Sequence, residues 1–305
     1  MLLAMLMGCL LPPPEAAAPH GQLSVVGSQL VGEDGEPVQL RGISFHGMHW
    51  FPDCVQPGAV SAIAQDWGAS VVRVASYVED GGYLSDPAGT LDAIAETLDW
   101  TEQAGLYVIV DWHILSDGDP MKNLDAAEEF WTAVAAMGAG RPHMLYEIAN
   151  EPNGVPWSRV TEYAGHIIPH IRTQDPDAVI LLGTPHWSQD LSGPLTEPLS
   201  DKIADNVMYT FHFYAASHKD RSGLEAATGR IPLFVSEFGL SEYTGDGRID
   251  TDSGDDWLDA IGSTSWVGWS FSDKDEASAA LQPGSCAAGA WDQTTEAGAW
   301  LRDRL

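Results

Sequence analysis

Two glutamates stand where a chain of buried strands would present its chemistry. Glu151 closes the run Leu145-Tyr146-Glu147-Ile148-Ala149-Asn150-Glu151. Pro152 stops that run, because proline cannot donate to a sheet ladder and fixes φ. Glu237 ends a second run of the same grammar, Ile231-Pro232-Leu233-Phe234-Val235-Ser236-Glu237, followed by Phe238-Gly239. Two carboxylates facing each other across a cleft can cleave a glycosidic bond. One, protonated, donates to the leaving oxygen while the other, ionised, attacks the anomeric carbon. Asn150, next to Glu151, is placed to hydrogen-bond a substrate hydroxyl beside the reacting carbon. Either glutamate alone is as readily a loop carboxylate or an arginine partner. The pair, taken with Asn-Glu-Pro and the aromatic residues below, favours chemistry.

The elements that must position them follow a regular alternation. Short apolar runs fall at 39–45, 70–75, 106–110, 143–149, 179–182, 207–211, 233–236 and 265–271. Helical periodicity fills the gaps at 60–67, 90–104, 125–137, 157–173, 223–228 and 253–261, and a last helix spans 294–305. Eight strand–helix units imply a parallel sheet closed into a (β/α)8 TIM barrel, an α/β fold. Residues 22–39 alternate, and Asp34-Gly35 signals a hairpin turn, so a short N-terminal β-hairpin should cap one end. The chain divides into an export-signal remnant with a Pro/Ala-rich tether (1–20) and the barrel (21–305).

In such a barrel, functional groups sit at the C-terminal ends of the strands. Those ends carry His46, His49 and Trp50; Arg73 and Tyr77; Asp111, Trp112 and His113; Asn150 and Glu151; His186 and Trp187; His212, Tyr214 and His218; Glu237; and Trp269, Lys274 and Glu276. Six of the ten histidines and four of the twelve tryptophans fall in this set, which scattered placement would not produce. Tryptophan suits sugars, whose C–H faces stack on aromatic rings. Arg73 can hold a nucleophilic carboxylate ionised, and Tyr214 can donate to it. For Arg73 and His113, bonding to the catalytic acids and direct substrate contact are equally open. Trp112 and Trp131 fit the core better than a sugar platform.

The formal net charge is −30, from 14 basic and 44 acidic residues. Nucleic-acid binding needs the opposite sign, and an anionic membrane surface would repel the chain. The only lysines are Lys122, Lys202, Lys219 and Lys274; such a surface is either adapted to high salt or simply solubilising. No apolar stretch in the body is long enough to span a membrane. Residues 1–11 are apolar and break into Pro12-Pro13-Pro14, like the end of an export signal without its basic start. Leu6-Met7-Gly8-Cys9 resembles a lipoprotein cleavage box, which would make Cys9 a lipid anchor. Residues 12–20 then read as a tether. If Cys9 belongs to the signal, Cys54 and Cys286 remain, either as a disulfide of an exported protein or as two free thiols.

Among His46, His49, His113 and His212, no two have the His-x-x-x-His spacing that shares an ion from one helix face. No catalytic metal and no cofactor are expected. The acidic stretch from Asp246 to Asp256 resembles a calcium loop but has Gly254 and Ile261 where ligands should be, counted from Asp250, so it reads as a loop and helix start.

Longer matches carry a family resemblance. Leu40-Arg41-Gly42-Ile43-Ser44-Phe45-His46-Gly47, Tyr107-Val108-Ile109-Val110-Asp111-Trp112-His113-Ile114-Leu115, Tyr146-Glu147-Ile148-Ala149-Asn150-Glu151-Pro152-Asn153-Gly154, Met208-Tyr209-Thr210-Phe211-His212-Phe213-Tyr214-Ala215 and Phe234-Val235-Ser236-Glu237-Phe238-Gly239 resemble glycoside hydrolase family 5, in its bacterial endoglucanase (cellulase) branch. The resemblance covers nearly all of 21–305. It implies a retaining, endo-acting hydrolase of β-1,4-glucosidic bonds, with Glu151 as acid/base and Glu237 as nucleophile. Arg73, His113, Asn150, His212, Tyr214 and Trp269 match the supporting positions. His46, Trp50, Tyr77, Lys274 and Glu276 match glycone-side sugar contacts, and Trp187 and His218 match the leaving-group side. Cys54 and Cys286 fit a disulfide of some relatives. Phe238 departs from the tryptophan common after the nucleophile, which affects packing rather than chemistry. The implied partner is a β-glucan polysaccharide or oligosaccharide, met by a secreted monomer. Mannan, mixed-linkage glucan or xyloglucan would fit the same mechanism, and a non-catalytic sugar-binding barrel is a remote alternative.

Overall fold

The computed structural model describes residues 18–305. The export remnant, most of the tether and Cys9 lie outside the described residues. Eight parallel strands close into a barrel, each paired with the next in chain order and the last with the first. They are β3 (Arg41–Phe45), β4 (Val71–Tyr77), β5 (Tyr107–His113), β6 (Met144–Glu147), β7 (Val179–Leu182), β8 (Val207–Tyr214), β9 (Leu233–Gly239) and β10 (Ser265–Phe271). The expected (β/α)8 barrel is present. Helices Pro57–Gln65, Pro87–Ala104, Leu124–Gly138, Trp157–Gln174, Ser222–Ala227, Thr251–Ile261 and Glu296–Arg302 alternate with the strands, apart from the β7–β8 connection, where only two short helical segments, Pro185–Ser188 and Ser192–Thr196, occur.

Strand parity divides the core in two. Val71, Tyr107, Ile109, Leu145, Leu181 and Phe234 point inward and fill the lower barrel. Their neighbours Val72, Val108, Val110, Ile180 and Val235 point outward against the helices. The strands are therefore apolar on both faces, which is why they read as continuous runs. Helix ends follow local chemistry. Asp86 caps Pro87–Ala104 by accepting from the Gly89 amide, and Gly105, at φ 72°, ends it. The acidic stretch is indeed a helix start: Asp250 caps Thr251–Ile261 and pairs with Lys219 and Arg248.

The N-terminal cap differs in detail from expectation. β1 (Ser24–Val26) and β2 (Gln29–Val31) form the hairpin, and their turn is Gly27-Ser28, not Asp34-Gly35. Gly27 takes φ 63°, a conformation that costs glycine little. Asp34-Gly35 makes a second turn, closed by the Val31–Pro37 bridge. The last residues of the expected tether are also held in place. The His20 amide donates to the Tyr107 hydroxyl at 3.1 Å, which itself donates to the Gly21 carbonyl at 2.9 Å.

Cys54 and Cys286 are bonded, joining the loop after β3 to the segment after β10. Opening the bridge by Cys54→Ser with Cys286→Ser should cost about 2–5 kcal/mol, read as a lower urea midpoint. An unchanged midpoint would show that barrel closure alone fixes these ends.

Candidate active site

The site begins with Arg73, inward-facing on β4 and fully buried. Its Nε donates to Glu147 at 2.6 Å, Nη1 to Glu237 at 3.0 Å, and Nη2 to Asn150 Oδ1 at 2.6 Å and Asp111 at 3.0 Å. Glu147 is the residue that the sequence reading passed over, and Asp111 stood among the strand ends without a role. Glu147 is the true end of β6, and Glu151 lies four positions beyond. The Ile148 amide still donates to Leu181 in β7 and the Asn150 amide to Trp112 in β5. The chain thus remains in the barrel wall up to Asn150, and Pro152 ends this pairing. Inward parity was the available signal: Glu147 alternates with Leu145, and Asp111 with Ile109 and Tyr107. A carboxylate at such a position requires a buried partner.

On β9, two consecutive side chains face inward. Pairing of β9 with β8 advances from Thr210↔Phe234 to His212↔Glu237, and with β10 from Trp266↔Val235 to Gly268↔Phe238. Both steps leave one extra residue on β9, a β-bulge at Ser236–Glu237. Ser236 therefore reaches Glu147 at 2.6 Å and His212 Nε2 at 2.9 Å, while Glu237 receives Arg73 and the Tyr214 hydroxyl, the latter at 2.8 Å. His212 Nδ1 lies 3.0 Å from Glu151. Hydrogen bonds thus run without a break from Glu151 through His212, Ser236, Glu147 and Arg73 to Glu237. Carboxyl oxygens of Glu151 and Glu237, together with His212, lie within 4.8 Å of one another.

Charge in this buried group is strongly polarised. Burial opposes the Arg73 cation, but Asp111, Glu147 and Glu237 more than compensate and raise its pKa. Burial raises Asp111 well above the carboxylate range despite Arg73. Burial would also raise Glu147, but Arg73 and His212 bring it down to about 2. His113, whose Nδ1 is 2.6 Å from Asp111, is brought down to about 3 by burial and Arg73, and so is neutral. Burial would lower His212 as well, yet its bonds towards Glu147 and Glu151 lift it to about 9. Glu151, His212 and Glu237 together could ligate an ion. However, a His212 protonated below pH 9 has no lone pair to offer, and Arg73 already holds Glu237, so this donor set fits a metal poorly.

The His212 shift predicts a pH response. Its folded pKa exceeds the ordinary 6.5, so its stabilisation is complete below about pH 6.5 and fades as pH rises through about 9. Glu147 has the opposite sign, stabilising above 4.5 and losing that effect as pH falls towards 2. The melting temperature should fall between about pH 6.5 and 9 and level off above that, and fall less steeply in His212→Asn. Equal slopes in both proteins would show that another group sets the alkaline limb.

Around the carboxylates stand the sugar-sized aromatic residues. Tyr77 and His113 have ring centroids 4.2 Å apart, His113 stacks on Trp269 at 5.5 Å, and His46 stacks on Tyr77 at 6.1 Å. Trp50 packs on Tyr77 at 4.5 Å. Lys274 Nζ bonds Glu276 at 2.6 Å and lies 3.4 Å from His46 Nε2. Trp187 and His218 form a separate group: Trp187 lies against His186, and His218 bonds the Tyr214 amide through Nδ1 at 2.8 Å. Trp50 and Trp187 are 44% and 43% exposed, whereas Trp112 and Trp131 are wholly buried core.

Trp187 is presented by an unusual turn. His186, Trp187 and Ser188 all take positive φ, 60°, 55° and 55°. Non-glycine residues there cost about 1 kcal/mol or more each. Tertiary bonds hold them: the Trp187 amide donates to the Pro152 carbonyl at 3.1 Å, and the Ser188 hydroxyl to the Asn150 carbonyl at 2.7 Å. The strained turn thereby braces the segment that carries Glu151. Phe238, behind Glu237, faces out and stacks on Phe213 at 4.9 Å, away from the carboxylates.

Comparison with known proteins bears on the fold and the family. The family model described as Cellulase (glycosyl hydrolase family 5) matches residues 31–275. Endoglucanase E-5 of Thermobifida fusca is 43% identical over 297 residues, 94% of this chain and 64% of that protein. Endoglucanase CelA of Streptomyces lividans is 43% identical over 303 residues, 95% of this chain and 65% of that protein. The chain thus spans just under two thirds of the length of these curated relatives. The catalytic domain of a Thermobifida fusca endoglucanase, solved in complex with cellotetraose, has a TM-score of 0.91 at 40% identity, covering 95% of this chain and 99% of that one. With the family model covering most of the barrel and relatives at this identity, the chain belongs to glycosyl hydrolase family 5, the cellulase family.

Proposed function

We propose that the protein is a retaining endo-β-1,4-glucanase acting on internal bonds of cellulose and related β-glucans. One observation carries the reading: the Glu151 and Glu237 carboxyl oxygens approach within 4.8 Å. Retaining enzymes hold their carboxyl groups about 5–5.5 Å apart, whereas inverting ones need about 6.5–9.5 Å to admit a water. Relatives of matching fold are endoglucanases, one of them solved with cellotetraose, which favours a β-glucan substrate.

Glu237 attacks the anomeric carbon from the face opposite the leaving group, its two oxygens steadied by Arg73 and Tyr214. Glu151 donates its proton to the glycosidic oxygen, and the leaving sugar departs as an alcohol. Glu151, now a carboxylate, takes a proton from water. The resulting hydroxide attacks the same carbon and releases Glu237, restoring the original anomer. Asn150 has one Nδ2 hydrogen on the Ile114 carbonyl at 3.0 Å. Its other Nδ2 hydrogen has only a long contact, 3.4 Å, to His113, and can turn to the substrate hydroxyl next to the reacting carbon. His113 and Trp269 shape that floor, and His212 returns Glu151 to its starting geometry. His46, Trp50, Tyr77, Lys274 and Glu276 bind the glycone, while Trp187 and His218 bind the leaving side. The half-exposed indoles of Trp50 and Trp187 support this, since neither is needed for the core.

The protein acts as a secreted monomer. The disulfide supports export, and every part of the site comes from one chain. No described helix is long and apolar enough to cross a membrane.

The test is the product profile on cellopentaose, followed by NMR of the newly formed anomeric centre. Internal cleavage with β-anomer formed first is expected. An α-anomer would overturn the mechanism, and preference for mannan over carboxymethylcellulose and barley glucan would overturn the substrate. Failure to hydrolyse a chromogenic cellooligosaccharide would leave a binding barrel.

A further inference from the structure

The His-x-x-x-His spacing missing from the barrel mouth does occur in the chain, at His166 and His170 on helix Trp157–Gln174. Residues four apart share a helix face. Here that face looks outward and meets Glu128 of the neighbouring helix Leu124–Gly138. Glu128 Oε1 stands 3.5 Å from His166 Nδ1 and 3.8 Å from His170 Nε2. Both separations are long for a hydrogen bond, and they resemble the ~3.3–3.8 Å between two donors of one four-coordinate ion bound at about 2.0–2.2 Å.

Proton placement sharpens the point. The Thr132 hydroxyl donates to the Glu128 carbonyl at 2.7 Å, which uses its only hydrogen. Its oxygen, 3.3 Å from His170 Nδ1, is then left to accept. Nδ1 therefore carries a hydrogen, which leaves Nε2, the nitrogen on the carboxylate side, as the one that can ligate. Zinc-ligating histidines are oriented in the same way, one ring nitrogen donating to the protein and the other free for the ion.

We propose that His166, His170 and Glu128 bind one zinc-class divalent cation, joining two adjacent helices on the outside of the barrel. Two imidazoles with one carboxylate suit zinc, nickel or copper rather than magnesium or calcium. The side chains are 47%, 41% and 31% exposed, so water can complete the coordination and the ion has a free path. The two imidazole nitrogens do not lie within 4.8 Å of each other as well as of the carboxylate, so one ring must turn on binding. An exposed side chain does so on the nanosecond scale. The net charge of −30 raises the local concentration of cations. The site is separate from the carboxylates of the barrel. On the inner face of the same helix, Tyr163 donates to the Ile148 carbonyl at 2.8 Å, so the ion would stiffen the support beneath the Asn150–Glu151 segment without touching it.

The experiment is calorimetric titration of chelator-treated, full-length protein with zinc chloride at pH 7.5, followed by thermal melts. One ion per chain is expected, with a melting temperature raised by roughly 5 °C at a hundredfold excess over Kd. Magnesium at the same concentration should give no shift. His166→Ala with His170→Ala should abolish binding, and Glu128→Ala should weaken it at least about tenfold. All three positions are on the surface, and hydrolysis by the variants without zinc should equal that of the parent. No zinc binding by the parent protein, or undiminished binding by the double histidine variant, would overturn the site. Unchanged affinity in Glu128→Ala would remove Glu128 from it.

Discussion

Glu237→Ala should lower turnover by on the order of 10⁴–10⁶-fold, because removing a covalent nucleophile removes the reaction path rather than one contact. Substrate should still bind, since the aromatic walls and the Lys274–Glu276 pair remain. Added azide should restore cleavage of a chromogenic cellooligosaccharide by entering the space left by the carboxylate. Its product should be the α-glycosyl azide, as only one displacement has occurred. Glu151→Ala gives the complementary result. The glycosyl-enzyme still forms when the leaving group needs no proton, and azide then attacks from the other face to give the β-azide. The same azide anomer from both variants, or Glu237→Ala retaining more than about one hundredth of parent activity without azide, would reverse or remove the assignment.

The second large effect is on stability. Arg73→Met should cost about 3–5 kcal/mol, because it strands Glu147 and Glu237 in an interior that had neutralised them. The loss is read as a lower urea midpoint with unchanged slope. Arg73→Lys keeps the charge but cannot reach Glu147, Glu237, Asn150 and Asp111 together, so it should be intermediate. Adding Glu147→Gln to Arg73→Met should recover part of the stability and none of the activity. A cost below about 1 kcal/mol would mean that the cluster admits water or is mostly protonated.

Most of the architecture was legible because each element announces itself locally. The runs at 179–182 and 265–271 became β7 and β10 without a shift of boundary, since turn residues flank a strand buried on both faces. The two catalytic candidates and the aromatic walls were legible for the same reason. What escaped depends on closure of the barrel. The bulge that turns both Ser236 and Glu237 inward follows from a mismatch between β9 and its neighbours, not from any residue type. The positive-φ turn at His186–Ser188 has no glycine to betray it, and the Pro152 and Asn150 carbonyls that stabilise it lie far away in sequence. Glu147 was visible but eclipsed by Glu151, which stands beside the proline that ends the pairing, four positions past the last residue of β6. Asp34-Gly35 is a true turn, but Gly27-Ser28 reverses the chain first.

The bridge between Cys54 and Cys286 has a consequence for how the molecule withstands proteolysis. Its cysteines are 232 positions apart, and Arg73, Glu151 and Glu237 all lie inside the covalent ring that they close. A single cut in any loop of that ring opens it without releasing a fragment. The two pieces remain joined at the sulfurs and held by the strand ladders on either side of the cut. A nicked molecule therefore keeps both carboxylates on one barrel, and only a second cut or reduction of the bridge can part them.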